Sequence, residues 1–433
     1  MSASVETRVI GGRKAELALT GLLFLAPLAT AAAPRLTWLF LLLVAGGLLL
    51  GAWRRIGDWR QLFQPHPVFL AATAVVLYAF FSAAWSPDPG GTLGKAALLL
   101  GALLLTFAGG NAVAAWDRTE LRRASLAFAL GALLGALYIL AGILTRDSLR
   151  RGAESIVALL SPDSGTAATT KFKPEFLRRS VAMLVLHLWP ALLAVTALVR
   201  SSRRLAFTLL VFAAVSVPVF FSGRESAQLA LVGSVLAFVL ASVWRRGMPR
   251  LLAAAWCLAF VAVLPLTLSA YQAEWHMEDS LPKSARARVI LWGHTAERVF
   301  EHPWIGVGAD ATGEITKRSV ADQPKGFVAP RTTGPHAHNF FLQIWFELGL
   351  LGAVLAAIAG AAIALRIASL SPEVQPFAAA TFATFGFSVA FAWGIWQTWL
   401  ICGVALAALY LLVTARAAVA EWEADRQPGN SSG

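Results

Sequence analysis

Long apolar runs recur along this chain and limit it to one broad class of fold. Stretches of about 17–25 hydrophobic residues are long enough to cross a bilayer as helices. An α-helix also pairs its own backbone groups, as any segment in hydrocarbon must. We therefore predict an all-α polytopic membrane protein. Its helices, about twelve, are expected at residues 17–33, 36–53, 68–85, 96–116, 124–144, 180–199, 205–221, 227–244, 251–271, 340–365, 376–396 and 398–415.

The composition agrees with this class. Only 14% of the residues are charged and 58% are hydrophobic, whereas soluble proteins carry about a quarter charged residues. Cys257 and Cys402 both lie in apolar runs, so neither a disulfide framework nor a cysteine metal site is predicted. The run at 17–33 follows a basic segment. It is either an uncleaved first helix, which we favour, or a secretory signal.

The basic residues are distributed unevenly between alternate short connections, which predicts the orientation. Connections after helices two, four, six and eight are rich in arginine, whereas those on the opposite side hold only Arg35, Lys95 and Arg224. The arginine-rich side, and with it both termini, is expected in the cytoplasm. Its residues are Arg54, Arg55, Arg60, Arg118, Arg122, Arg123, Arg200, Arg203, Arg204, Arg245, Arg246 and Arg250.

Two long segments, 145–179 and 272–339, then fall on the outer side. The predicted organisation is residues 1–271 with nine helices, the outer segment 272–339, residues 340–415 with three helices, and a cytoplasmic tail at 416–433. Both outer segments are rich in Lys and Arg. This excess reflects either solvation and attraction to anionic lipid, or a site for a phosphorylated ligand.

Residues 284–301 have the pattern of an amphipathic helix within the second outer segment. Val289, Trp292, Ala296, Val299 and Phe300 share one face at helical spacing. Arg288, Thr295 and Arg298 lie towards another face. The helix is predicted to rest on the bundle or the membrane surface, either as a lid over a site or as a simple interfacial helix.

Residues 334–352 contain the strongest candidate site. A polar approach with His336 and His338 leads into a hydrophobic helix that we expect to begin at Asn339 and to continue to about Arg366. Free N–H groups at such a helix mouth attract anions and favour a neutral imidazole. His338 is therefore a candidate general base. The alternative is that both histidines are only polar interfacial residues.

Arg224 and Arg288 are the arginines that we expect near His338, because all three come from outer-side segments. A guanidinium donates paired hydrogen bonds to phosphate oxygens and stays charged. Glu225 offers Arg224 an alternative, purely structural partner. Glu347 is the main charge inside a predicted span. A structural role is favoured for it, and the alternatives are that it pairs with an outer-side arginine or orients the surroundings of His338.

Missing motifs narrow the reaction class. The outer side has no Asp-x-Asp pair, and the chain has no HExxH, Walker loop or dinucleotide fingerprint. No metal, cofactor or nucleic-acid partner is therefore predicted. The near absence of intramembrane carboxylates also disfavours an ion-coupled transporter.

Three motifs in order resemble the bacterial O-antigen ligases and the related O-antigen polymerases. They are FSGRES around Arg224, RVILW from Arg288 followed by HPWIGVG, and His338-Asn339 followed after nine residues by Gly349-Leu350-Leu351-Gly352. The resemblance extends from the sixth to the tenth predicted helix.

The resemblance implies a GT-C-like glycosyltransferase in the Gram-negative inner membrane. Such an enzyme moves a preassembled glycan from undecaprenyl pyrophosphate to lipid A–core oligosaccharide at the periplasmic face, without a metal and among membrane lipids. By this resemblance, the catalytic residues are His338, Arg288 and Arg224. The expected substrate-binding residues are Arg286, His336, Asn339, Arg178 and Arg179. The signature is shared with polymerases and protein O-oligosaccharyltransferases, which remain alternatives, and a lipid-linked-sugar transporter is a further one.

Overall fold

Helices are the regular secondary structure of the described residues, which contain no β-strand. The computed structural model describes residues 2–53, 55–56, 58–63, 66–145, 175–199 and 202–426. Side chains are described from residue 16 onwards and, after the gap at 146–174, from residue 177. The helices are α1 Ser2–Ala32, α2 Thr37–Trp53, α3 Pro67–Phe81, α4 Pro89–Ala112, α5 Arg118–Leu144, α6 Glu175–Leu198, α7 Arg204–Phe221, α8 Glu225–Val243, α9 Met248–Gln272, α10 Lys283–Val299, α11 Thr312–Arg318, α12 Phe340–Arg366, α13 Gln375–Phe391 and α14 Thr398–Arg426.

The apolar helices confirm a polytopic membrane protein. Among the described residues, 10 helices are long and apolar enough to cross a bilayer. Two further predicted spans correspond to shorter helices, the apolar part of α1 at Glu16–Ala32 and the 17-residue α13. The count of about twelve stays a prediction.

Three predicted boundaries differ from the structure. The span expected at 376–396 ends at Phe391, because the chain turns at 392–397 before α14. Helix α14 continues to Arg426, into the stretch expected to be a tail. Arg178 and Arg179 lie within α6 and not in an outer loop, and the rest of that predicted segment, 146–174, lies outside the described residues.

The chain divides into two compact units. The first comprises Met1–Phe63, Ala108–Gly233 and Cys402–Gly433, and the second comprises Gln64–Phe107 and Ser234–Ile401. In the first unit, Gly131 lets α5 approach α1 closely, since a Cβ there would meet the Phe24 carbonyl oxygen at 1.9 Å. Asp117 caps α5 in a capping box with Glu120.

Ion pairs engage several of the arginines that predicted the orientation. Arg55 pairs with Glu120, Arg118 bonds Glu421 at 2.8 Å, and Arg123 bonds Glu16 at 2.6 Å. Glu120 and Glu421 are both buried, so these arginines compensate carboxylates that would otherwise be costly to desolvate.

An aromatic core fills the second unit. Trp256 on α9 packs against Phe340 and Phe341 at the start of α12 and against Phe385 on α13. The Trp256 indole N–H donates to the Ala356 carbonyl at 3.1 Å. This packing fixes the first turn of α12, where the polar approach predicted to carry the site enters the helix.

Helix α12 is broken at Gly349, which the prediction of one continuous helix missed. Gly349 has φ 63° and ψ −163°, a conformation open almost only to glycine. The 303–308 segment fills the break: Leu350 N–H donates to Pro303 O at 2.8 Å, and Gly308 N–H donates to Glu347 O at 2.8 Å. The half-helix 340–348 thus ends against irregular backbone that satisfies its exposed groups.

Candidate active site

His338 sits in a strained turn directly before the half-helix 340–348. Its φ of 53° is left-handed, which is uncommon for a residue with a side chain. The helix was predicted to begin at Asn339; this residue is the N-cap, and its side-chain oxygen accepts from Leu342 N–H at 3.1 Å. A left-handed residue held against a capped helix is the kind of strain that collects at functional sites.

A backbone carbonyl fixes the orientation of the His338 ring. Nδ1 lies 2.8 Å from the Ala392 carbonyl oxygen in the 392–397 turn. A carbonyl only accepts hydrogen bonds, so Nδ1 carries the proton and donates it. In the neutral ring Nε2 is then the nitrogen with the lone pair. Any general-base chemistry of the neutral ring therefore takes place at Nε2.

His336 packs beside His338. The two ring centroids are 4.1 Å apart with the planes inclined at 52°. Burial and the neighbouring His338 ring lower the pKa of His336 to about 4. Gly394 in the 392–397 turn also lies close to the His336 ring: a Cβ added to Gly394 would be 2.8 Å from the His336 Cγ. His336 is therefore neutral at physiological pH, and its ring packs against the ring of His338.

Helix α10 contacts the same stretch. The Trp292 indole N–H donates to the carbonyl of Ala337, the residue between the two histidines, at 2.8 Å. Arg288 and Trp292 were predicted on different faces of this helix, but they are four residues apart and both half-buried, so they are neighbours on its surface, about 6 Å apart along the axis. Arg286 points elsewhere: it donates to Asp279 at 2.6 Å and to the His276 carbonyl at 2.8 Å.

The burial of α10 differs from its predicted pattern at two positions. Thr295, expected on the polar side, is fully buried and donates to the Leu291 carbonyl at 2.7 Å. Phe300, expected on the buried face, is 61% exposed. Phe300 is the C-cap residue, one position beyond the last helical residue, Val299.

The other candidate residues belong to the first unit. Arg224 immediately precedes α8, and its carbonyl accepts from Ala227 N–H at 2.9 Å. On α6, Arg178 is exposed and Arg179 is half-buried. The second unit holds His336, His338, Asn339, Arg286 and Arg288. The convergence of Arg224 with Arg288 and His338, and the substrate-binding role of Arg178 and Arg179, stay predictions.

Glu347, fully buried on the half-helix 340–348, organises the surroundings. Its Oε1 accepts from Gln343 Nε2 at 3.0 Å and from the Thr312 hydroxyl at 2.5 Å, and its Oε2 accepts from Asp310 N–H at 3.1 Å and from the Trp396 indole. Within the described part of the chain, the carboxyl group thus binds neutral donors and no arginine, in keeping with the structural role favoured from the sequence. It ties the 310–312 segment and the 392–397 turn to one half-helix.

Sequence reasoning did not single out Gln343, Lys95 or Trp396. Lys95 donates to the Trp396 carbonyl at 3.0 Å and lies 3.8 Å from an Asp310 carboxylate oxygen. A polar residue four positions before an intramembrane glutamate was the available signal for Gln343. Trp396 looked like one more apolar residue of a span. Across the described residues, no group of three or more His, Cys, Asp or Glu side chains is arranged to hold a metal ion.

Part of the chain matches a known protein family. Residues 210–357 match the family model described as O-antigen ligase. The matched range contains Arg224, Arg288 and His338, as well as the Gly349 break. No curated protein matches the chain significantly. The matched segment confirms the resemblance of the three motifs and supports membership of this chain in the O-antigen ligase family.

Proposed function

We propose that this chain is an O-antigen ligase that transfers a preassembled glycan from undecaprenyl pyrophosphate to lipid A–core oligosaccharide. The proposal places the protein in the Gram-negative inner membrane with its active site facing the periplasm. The family match supports the reaction class, and the long apolar helices support a lipid-linked donor.

The observation that carries the proposal is the contact between His338 Nδ1 and the Ala392 carbonyl. With the proton fixed on Nδ1, Nε2 takes the proton of an acceptor sugar hydroxyl. The hydroxyl oxygen then bonds to the anomeric carbon of the donor. The bond from that carbon to the pyrophosphate oxygen breaks, and the electron pair leaves with the pyrophosphate. In-line attack inverts the anomeric configuration.

The leaving pyrophosphate gains negative charge, which fixed cations stabilise most effectively when they are already in place. Arg288 is assigned this role, since it lies one helical turn from Trp292, which contacts the histidine stretch. Arg224 is assigned the same role on the family motif. Arg286, Arg178 and Arg179 are proposed to contact the substrates. The Asn339-capped helix start adds oriented N–H groups.

Three other activities use similar parts. A polymerase would employ the same donor with a lipid-linked glycan as acceptor, and a protein O-oligosaccharyltransferase would glycosylate Ser or Thr. A transporter would move the donor without making a bond. The match to the family model described as O-antigen ligase favours a bond-forming reaction over transport.

The test is transfer by the purified full-length protein in detergent, given undecaprenyl-pyrophosphate glycan and lipid A–core with a chelator and no nucleotide. We expect a glycan ladder on lipid A–core. Elongation of the lipid-linked donor alone would identify a polymerase. Glycan on an added Ser/Thr-containing acceptor peptide would identify a protein transferase. No product in any arm would refute the proposed glycosyl transfer.

A further inference from the structure

The turn that holds His338 has no regular secondary structure of its own. Residues 392–397 join α13 to α14, and this turn supplies both the Ala392 carbonyl for His338 and the Gly394 backbone against His336. A turn of this kind does not hold an atom in place by itself, so its position depends on the side chains that bind it.

Two side chains of the half-helix 340–348 bind the 392–397 turn. Gln343 accepts from the backbone N–H of Ile395 at 3.3 Å, and Glu347 accepts from the Trp396 indole. Gln343 also donates to Glu347 at 3.0 Å, which fixes the direction of its amide. Gln343 and Glu347 are only 1% and 0% exposed. In such a setting, hydrogen bonds are strong and unsatisfied groups are costly.

The 310–312 segment and Lys95 belong to the same hydrogen-bond network. Asp310 N–H and the Thr312 hydroxyl donate to Glu347. Lys95 approaches the Asp310 carboxylate and donates to the Trp396 carbonyl at 3.0 Å. Trp396 is therefore held at its indole by Glu347 and at its carbonyl by Lys95. The turn has little freedom to shift while this network is intact.

We propose that Glu347 and Gln343 are positioning residues for His338, acting through the 392–397 turn. They hold the Ala392 carbonyl where it keeps the His338 proton on Nδ1 and Nε2 towards the acceptor hydroxyl. This inference rests on the proposed function. It adds that the reactive imidazole is oriented by a buried polar network that acts through the 392–397 turn.

The direct test is Trp396→Phe, which removes one donor to Glu347 and leaves an aromatic ring in place. Trp345→Phe is the matched control, because Trp345 lies between Gln343 and Glu347 but donates to the Phe260 carbonyl of α9 at 2.9 Å. Gln343→Met is a second variant, close in size and without the amide. Glu347→Gln is not used as a test, because its NH₂ group would face donors that the carboxyl group accepts from.

We expect Trp396→Phe and Gln343→Met to lower kcat about 10- to 100-fold, the scale of a misplaced reacting group. The KM for the lipid-linked donor should change less than about twofold, because the donor's pyrophosphate contacts other residues. The acidic limb of the kcat profile against pH should also shift, because it reports the base in the enzyme–substrate complex. Trp345→Phe should leave all three unchanged.

Two outcomes would overturn the inference alone. One is an active wild type whose Trp396→Phe and Gln343→Met variants match Trp345→Phe in kcat and pH profile. The other is a loss confined to the yield or thermal stability of folded protein, with kcat per folded molecule unchanged. An inactive wild type would instead refute the proposed function on which the inference rests.

Discussion

At the scale of single residues, the sequence singled out His338 as a candidate general base. It did not point to the backbone carbonyl that determines which ring nitrogen carries the proton. The start of the helix at Asn339 was predicted from the sequence, and the structure shows Asn339 as its N-cap. The Ala392 carbonyl lies 54 residues further along the chain, in a stretch that hydropathy assigns to a span. A backbone acceptor has no side-chain signature, so no motif points to it. Only the folded chain shows which nitrogen of His338 carries the proton.

His336 should make stability depend on pH. Its pKa in the folded protein is about 4, below the ordinary value of 6.5. As the pH falls from 6.5 to 4, this histidine becomes protonated in the unfolded chain but stays neutral in the folded chain. The free energy of unfolding therefore decreases across that pH range. We expect His336→Gln to flatten the decline of thermal stability in detergent between pH 6.5 and 4. His302→Gln, at an exposed histidine of the same segment, is the control. An unchanged slope in His336→Gln would contradict the effect of burial.

At the scale of elements, hydropathy predicts the long helices well but does not reveal breaks within them. Helix α12 begins and ends where it was expected, yet Gly349 interrupts it. The residues on both sides of the break are leucine and glycine, so hydropathy does not distinguish them from a continuous apolar helix. The structure shows why the HPWIGVG motif and the Gly349-Leu350-Leu351-Gly352 motif occur together: the backbone of the first satisfies the broken end of the second.

Gly349→Ala tests the break. A side chain in this conformation costs about 1–3 kcal/mol, and the new Cβ would also meet the Ile305 backbone nitrogen at 2.5 Å. We expect a clear loss of thermal stability together with lower transfer activity. Gly386→Ala on α13 is the matched control, since nothing lies within 4 Å of its Cβ position. Equal stability of the two variants would show that the break is not needed.

At the scale of the whole molecule, the fold class was evident from the apolar runs, whereas the fine boundaries were not. Turns such as 392–397 lie within continuous hydrophobic sequence and cannot be separated from the helices by composition. The division into two units also has no sequence signal, because each unit is assembled from distant stretches of chain. Orientation is different: it follows from the arginine distribution and stays a prediction.

Cysteine labelling tests that orientation. In a chain with Cys257→Ala and Cys402→Ala, we expect Ala321→Cys to react with a membrane-impermeant maleimide in intact spheroplasts. Ser202→Cys should react only after permeabilisation. Both positions are exposed on the protein, so burial does not explain a difference between them. Labelling of Ser202→Cys in intact spheroplasts, with Ala321→Cys protected, would reverse the predicted topology and place the site on the wrong side for its acceptor.

The central claim is that His338 is the base of a glycosyl transfer, and its removal is the most direct measurement. Purified His338→Ala and wild-type protein should be compared for glycan transfer from undecaprenyl pyrophosphate to lipid A–core, with His302→Ala as the control. We expect His338→Ala to lose about 10²–10⁴-fold in rate while retaining its elution profile and thermal stability, and His302→Ala to transfer normally. Wild-type rates from folded His338→Ala would contradict the account.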